Sequence, residues 1–540
     1  MNRYTFRDFF DNHAVSDSQK AFGYVGKDFL TYGDVKTQIK KIKTLLLQAG
    51  IGKGDKVALL SANQPHWGIT YLAVTSFGAV IVPILPDFTV KQIDNILKHS
   101  ESKLIFLSEK QQVKLDEIDL DFPAFNLETF TLVKGSLDES KSFSADIYDM
   151  EEDDVAAILY TSGTTGNSKG VMLTNKNLLS NVEACSEIIK VTTEDRFLSL
   201  LPLAHTYECT VGFLFPFSKG ASISYIEGAP TPRILMDALG KVKPTLVLSV
   251  PLLIEKIYRS NIAAKFNAKK FIAILYKLKP FRILLNRIAG KKLLTAFGGS
   301  LRFFGVGGAP LAPDVETFLR DCHFPYSIGY GLTETSPLLA GDHPSIQVYR
   351  STGKSVFNGK LRIDSPDPVR EVGEIQAYGP NIMKGYFKDP DKTAEVFTED
   401  GWFKTGDLGT ITRDGRLFIR GREKNLILGS NGENIYPEEI ESILNENEYV
   451  SESIIMEMGK EVVAMIYLNA DKLAQEIKSL KLPMHKVDEY KQTILEKIRK
   501  EANNHLNIQS RLSKMIEHHT PFEKTPSLKI KRFLYHKKKK

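Results

Sequence analysis

Between Tyr160 and Gly170 the chain gathers Thr161, Ser162, Gly163, Thr164, Thr165, Gly166, Ser168 and Lys169, a density of hydroxyls and glycines around one cation that suits a polyphosphate. Glycines let backbone N–H groups turn toward phosphate oxygens, hydroxyls add donors, and the lysine supplies charge. Gly163 and Lys169 have the G-x-x-x-x-G-K spacing of kinase-like loops. Ser168 replaces the second glycine of that motif, however, and Gly170 stands where it needs the Ser or Thr that holds magnesium. The flanks disagree as well. Asp154 to Tyr160 and Val171 to Thr174 read as two strands, where a P-loop would open a helix. The helix comes later, capped near Thr174, with Leu178, Val182, Cys185 and Ile189 on one face. A strand–loop–strand that holds the phosphates of ATP without help from a helix dipole is therefore the leading expectation.

Other short segments combine glycine or proline turns with a few chemically able side chains. Leu201 to Glu208 contains His205 and Tyr207. Gly307, Gly308, Ala309 and Pro310 follow the apolar run Leu301 to Val306, a turn at a strand end where open α/β sheets bind ligands. Gly329, Tyr330, Gly331, Thr333 and Glu334 come next, and a hard cation prefers a carboxylate together with phosphate oxygens. Asp407, in a Thr-Gly-Asp turn, offers a carboxylate suited to two hydroxyls. Arg422 and Lys424 follow, then a turn-rich stretch from Gly429 to Glu441, and finally Lys529 among the basic residues Lys524 to Arg532.

In this order and at roughly this spacing, the segments resemble the signature of the adenylate-forming superfamily: acyl-CoA synthetases, luciferases and peptide-synthetase adenylation domains. The resemblance covers nearly the whole chain and is nearest to long-chain fatty acyl-CoA synthetases, through residues 201–208, 298–304, 429–441 and 525–532. It implies that Thr161, Ser162, Gly163, Thr164, Thr165, Gly166 and Lys169 cradle ATP phosphates. By the same resemblance Gly307, Gly308, Ala309 and Pro310 lie against adenine, with Gly329, Tyr330 and Gly331, Tyr330 stacking on the base. Thr333 would bond the α-phosphate, Glu334 hold Mg²⁺, Asp407 accept from the ribose hydroxyls, and Arg422 contact ribose or phosphate. Lys424 falls at a hinge, His205 or Tyr207 gates the acyl pocket, residues 429–441 form part of a pantetheine tunnel, and Lys529 is the catalytic lysine. The implied reaction turns a long-chain fatty acid and ATP into acyl-AMP and pyrophosphate, then uses coenzyme A as co-substrate. Two departures stand out. Asn425 replaces an acidic residue usual at the hinge, and Leu528 stands where many members have Gly, although long-chain enzymes often carry a larger residue there. The rivals are an acyl-carrier-protein ligase with the same adenylation chemistry, a kinase, which would release ADP in place of AMP, and a noncatalytic acyl-binding protein. The last should have lost Glu334, Asp407 or Lys529, and none is lost.

The elements that must position these residues follow from composition and pattern. A chain of 540 residues, 42% hydrophobic and 25% charged, forms more than one domain of a soluble globular enzyme. Alternating helix and strand patterns from about residue 20 to 340 predict an α/β class with parallel sheets covered by helices. Short strands over 351–421 predict a small β-barrel-like subdomain, completing an N-terminal domain of residues 1–421. Residues 422–540 are expected to form a smaller mobile α+β domain hinged near Lys424. The apolar run from Ile69 to Leu85 is interrupted by Gly78 and Pro83 and divides into a helix, a glycine turn and a strand, which makes it a core unit.

The start of the chain lacks the apolar stretch of a secretory signal, and Cys185, Cys209 and Cys322 have no metal-ligand spacing, which predicts a cytoplasmic protein. Net charge is +6, but from Lys256 to Pro313 there are twelve Lys/Arg residues and no acidic one. Phe271 to Tyr276 and Phe281 to Leu285 interleave with Lys269, Lys270, Lys277, Lys279, Arg282 and Arg287. Two short basic amphipathic helices separated at Pro280 are expected. They either make peripheral contact with the inner membrane face or form a solvated pair whose apolar face joins the core. No nucleic-acid-binding motif accompanies the charge.

Overall fold

The computed structural model describes residues 3–143, 148–161, 169–228, 230–267, 270–429, 433–459, 461–524 and 530–535. Two sheets carry the large N-terminal part. One has seven strands, running Tyr326–Ile328, Phe303–Val306, Leu246–Ser249, Arg196–Ser199, Ser222–Tyr225, Lys20–Tyr24, Phe29–Thr31; all neighbours are parallel except the last pair. The other has eight, with Val155–Thr161, Val80–Ile84, Lys56–Leu60, Ser102–Leu107 and Ala124–Asn126 parallel at its centre. Parallel strands need crossover connections that cover both faces, so their sequences are apolar at successive positions. Lys56–Leu60 illustrates this: Val57 and Leu59 enter the large core shared by both sheets, while Ala58 and Leu60 enter a second cluster with Ile93, Ile96 and Leu97 of the helix Val90–Ser100.

Local chemistry sets where elements begin and stop. The helix Pro65–Phe77 ends at Gly78, whose φ of +98° suits glycine, and the strand Val80–Ile84 follows as expected. Thr174 caps the helix Asn175–Ile188 through a reciprocal capping box with Asn177. Leu178, Val182 and Cys185 of that helix are buried, as are the other two cysteines, all three free thiols.

The β-rich region combines a four-stranded antiparallel sheet, Lys360–Asp364, Gly373–Tyr378, Phe403–Ile411 and Leu417–Arg422, with a three-stranded one that also takes in Tyr330–Gly331 and Leu338–Gly341. A bridge between Lys354 and Arg416 joins them around one small core containing Ile363, Ile375 and Leu417. The C-terminal part has its own sheet, Val450–Met458, Glu461–Leu468 and Lys514–Glu517, and its own core of residues such as Ile440, Ile455, Ile466 and Leu495.

In the basic segment two helices, Lys270–Tyr276 and Lys279–Ala296, are present as expected, but the second differs from expectation in its length and in where Pro280 falls. Pro280 lies in the first turn of the helix Lys279–Ala296, an 18-residue element and not a short one. Proline at that point removes no needed hydrogen bond, so it starts the helix and does not cut it. No helix among the described residues is long and apolar enough to cross a membrane.

The segment Tyr207–Leu214 is a π-helix, wider than an α-helix and uncommon outside functional regions. It buries Glu208, whose carboxylate accepts from the Ser199 hydroxyl at 2.6 Å. Burial pushes the Glu208 carboxyl up from 4.5 to about 8. Between those values the folded protein keeps a proton that the unfolded chain releases, so stability falls as pH rises through that window. Glu208→Gln removes the ionisable group. The variant's Tm relative to the parent should therefore rise between pH ~5 and ~9, in thermal unfolding followed by circular dichroism. A difference that stays constant with pH would show that Glu208 does not ionise there.

Candidate active site

The strands Val155–Thr161 and Lys169–Thr174 pair antiparallel, with Thr161 opposite Lys169 as the outermost pair. The hairpin expected from the sequence is therefore present. Ser162, Gly163, Thr164, Thr165 and Gly166 lie between those two residues, outside the described residues. The Lys169 ammonium stands 4.7 Å from the ring centroid of Tyr386, a cation–π distance. Tyr386 arrives on the two-residue strand Gly385–Tyr386, which adds antiparallel to Lys169–Thr174. Its hydroxyl donates to Glu334 Oε1 at 3.0 Å. Glu334 sits in the single 3-10 turn Thr333–Thr335, and its carbonyl accepts from the Met383 N–H at 2.8 Å. Burial lowers the Lys169 ammonium from the ordinary lysine value, Lys392 and Lys424 act in the same direction, and Glu334 and Asp389 oppose them. Lys169, Glu334 and Lys424 thus share one electrostatic neighbourhood.

A second group forms around Asp407. This buried carboxylate accepts from the Tyr330 hydroxyl at 2.8 Å and pairs with Arg422 Nε at 2.8 Å. Asp407 and Arg422 are opposed across paired strands, so register alone brings them together. Burial and the neighbouring Asp407 charge raise the Tyr330 phenol well above its ordinary value. Tyr330 and Arg422 are thus among the donors to the Asp407 carboxylate, whose two oxygens together offer about four lone-pair sites. Gly331, which follows Tyr330 in the same two-residue strand, is required there, since a Cβ would lie 1.8 Å from the Pro337 carbonyl oxygen. The Gly329 N–H donates to the Val306 carbonyl at 2.9 Å. That bond sets the turn beside Gly307, Gly308, Ala309 and Pro310, at the carboxyl ends of adjacent parallel strands.

Beside Gly305 and Gly329 lies an apolar cavity of about 30 Å³, lined also by residues that include Cys185, Tyr207, Val211, Phe215, Leu248 and Phe303. Tyr207 packs against two glycines: a Cβ at Gly305 would lie 2.9 Å from its hydroxyl oxygen, and one at Gly307 3.1 Å from its ring. His205, two residues earlier, is half-buried and is not among the described residues lining the cavity.

Lys529 lies outside the described residues, but both flanks of its segment are anchored. Lys524 Nζ meets Glu452 Oε1 at 2.6 Å, and Arg532 Nη1 donates to buried Glu441 Oε1 at 2.7 Å. Asn425, where an acidic residue was the expectation by resemblance, donates through Nδ2 to Glu438 Oε1 at 2.5 Å.

Sequence reading did not single out Tyr386 or Gly305, and it gave Gly307 to the adenine turn without its contact to Tyr207. Gly385 supplies a weak signal, because its φ of +146° and a Cβ position only 2.8 Å from Thr393 exclude larger residues. Nothing local foretells that its neighbour reaches Lys169.

Residues 9–387 match the AMP-binding enzyme family and residues 424–538 match the AMP-binding enzyme C-terminal domain. A peroxisomal relative of Arabidopsis thaliana, long chain acyl-CoA synthetase 7, is 31% identical over 487 residues, covering 82% of this chain and 69% of its own length. The chloroplastic long-chain-fatty-acid–[acyl-carrier-protein] ligase of the same plant is 27% identical over 541 residues, with 83% and 73% covered. Among solved structures, ATP-bound MatB of Rhodopseudomonas palustris superposes with a TM-score of 0.78 at 22% identity, covering 99% of this chain and 98% of that one.

The bond between Tyr330 and Asp407 can be weighed directly. Tyr330→Phe keeps the ring and should cost about 1–3 kcal/mol, the usual value for a hydrogen bond to a buried charge. In a double-mutant cycle with Asp407→Asn, read by thermal unfolding, the two losses should be less than additive. Strict additivity would mean that the pair contributes nothing as a unit.

Proposed function

The chain belongs to the AMP-binding enzyme family of adenylate-forming acyl-CoA and acyl-carrier-protein ligases, and from that premise we propose that it activates a long-chain fatty acid and transfers it to coenzyme A. The observation that carries this reading is the pair of polar groups, Lys169–Tyr386–Glu334 and Tyr330–Asp407–Arg422, together with an apolar cavity lined by Tyr207 and by Gly329, the residue before Tyr330. A polar nucleotide site beside an apolar one is what joining ATP to a hydrocarbon acid requires.

In the first step a carboxylate oxygen of the acid attacks the α-phosphorus of ATP. The bond to the bridging oxygen breaks, and pyrophosphate leaves with the electron pair. Three negatively charged groups must be held together, so positioned cations lower the barrier. We assign Lys169 and Thr161 to the phosphates, along with Ser162, Gly163, Thr164, Thr165 and Gly166. Lys529 goes to the α-phosphate and the substrate carboxylate, and Thr333 to the α-phosphate. Asp407 and Arg422 take the ribose, while Tyr330 and the turn from Gly307 to Pro310 take the adenine. Glu334 fits Mg²⁺ by its chemistry: its carboxylate is only half-buried, is oriented by Tyr386, and stands near Lys169. Mg²⁺ held there would neutralise phosphate charge.

In the second step the thiol sulfur attacks the acyl carbonyl carbon. The bond to the phosphate oxygen breaks, AMP leaves with the electron pair, and the thiol proton is lost. We propose that residues 422–540 move as a unit about Lys424 between the two steps, withdrawing Lys529 and presenting residues 429–441 to the acyl-AMP. Tyr207 and His205 are assigned to the acyl entrance. The similarity to a relative named as an acyl-carrier-protein ligase supports a second reading, in which the acyl group passes to a phosphopantetheinyl protein.

Purified protein incubated with Mg-ATP, coenzyme A and fatty acids of several lengths should yield acyl-CoA and AMP by mass spectrometry, with long chains favoured. Acyl-AMP without acyl-CoA would shift the assignment to the carrier-protein reading, and ADP would overturn both. Lys529→Ala should abolish acyl-AMP formation while sparing thioester formation from supplied acyl-AMP. Equal loss of both half-reactions would remove Lys529 from its role.

A further inference from the structure

The helix Lys279–Ala296 has two faces with different surroundings. On the inner one, Arg282 Nε and Asn286 Nδ2 each donate to Asp321 Oδ2 at 2.9 Å, Gly290 lies where a Cβ would come within 2.3 Å of Cys322, and Leu293 is buried. At 3.6 residues per turn Phe281, Leu284 and Ile288 fall on the opposite face. Leu284 and Ile288 are 55% and 52% exposed. The preceding helix Lys270–Tyr276 extends the apolar surface with Phe271 at 71% and Ile274 at 64% exposure, and exposed Leu278 lies between the two helices. Six large apolar side chains exposed within eighteen residues mark an interaction surface, since isolated ones need no explanation but a run of them does.

The charge that this segment itself carries has one sign. Exposed Arg287 and Lys291 lie along one side of the apolar stripe, exposed Lys292 along the other, and exposed Lys277 and Lys279 at the helix junction. No Asp or Glu occurs from Lys256 to Pro313.

We propose that this face docks on the surface of an anionic phospholipid bilayer. Its apolar residues would enter the boundary between headgroups and acyl chains, and the flanking cations would meet lipid phosphates. A second copy of the chain fits less well. A two-fold contact would press the same lysines against one another with no carboxylate in the segment to compensate. Docking would place the protein where long hydrocarbon chains partition, but it stands apart from the catalytic assignment, because binding is read without turnover.

The test is flotation of the full-length protein with vesicles of phosphatidylglycerol or of phosphatidylcholine. The protein should float with phosphatidylglycerol, much less with phosphatidylcholine, and should detach at about 1 M salt, where the screening length falls to about 3 Å. Lys291→Glu with Lys292→Glu should weaken binding by more than about tenfold, since each basic residue near such a surface contributes roughly a factor of five. Leu284→Ser with Ile288→Ser should weaken it too, with an unchanged Tm showing that both variants fold. No flotation, equal flotation with both lipids, or variants that float like the parent would overturn the proposal. So would a solution dimer that the Leu284→Ser and Ile288→Ser variant dissociates, which would assign the face to a second copy.

Discussion

A buried carboxylate at Asp407 is the constraint on which the rest of the site depends. An ionised group taken out of water is tolerated only when its partners are close and well aimed. Those partners come from two different sheets: Tyr330 from the turn that follows the parallel strand Tyr326–Ile328, and Arg422 from the strand directly opposite Asp407. The β-rich region is thereby fixed against the carboxyl ends of the parallel strands. Gly331 makes this possible, since any side chain there would collide with the Pro337 carbonyl. Tyr386 does for the phosphate side what Tyr330 does for Asp407. Its ring faces Lys169 and its hydroxyl holds Glu334, so one phenol contacts both a cation and a carboxylate.

Much of this was legible in the sequence because it is local. The hairpin around residues 162–168 is announced by apolar strands on either side of a loop of glycines and hydroxyls, and Thr174 declares the following helix by its capping chemistry. The turns at Gly307 and Gly329 follow apolar strands, as α/β sites require. What could not be read depends on contacts remote in sequence. Tyr386 matters only because a two-residue strand adds to Lys169–Thr174 from more than two hundred residues away, and neither residue type nor spacing encodes that pairing. In the basic segment the two helices were legible but the length of the second was not: proline there starts a helix as readily as it separates two, and periodicity alone cannot tell which of two apolar faces meets the core.

The cavity beside Tyr207 raises a question of state. Ordinary ligand pockets occupy roughly 300–1,000 Å³, whereas this one encloses about 30 Å³. On the proposed reading, a hydrocarbon chain therefore enters only if the walls part. The π-helix Tyr207–Leu214 supplies Tyr207 and Val211 to that wall, and such turns are rare and found frequently at functional sites. Tyr207 also rests on Gly307, the first residue of the turn assigned to adenine, so its ring stands between the two halves of the proposed substrate. On the proposed reading, any movement that admits the acyl chain changes the packing of the nucleotide turn, and a nucleotide seated on that turn changes the room available to Tyr207. The two substrates are then coupled through one aromatic ring, and the coupling is reciprocal, because whatever one ligand does to the affinity for the other is returned in equal measure.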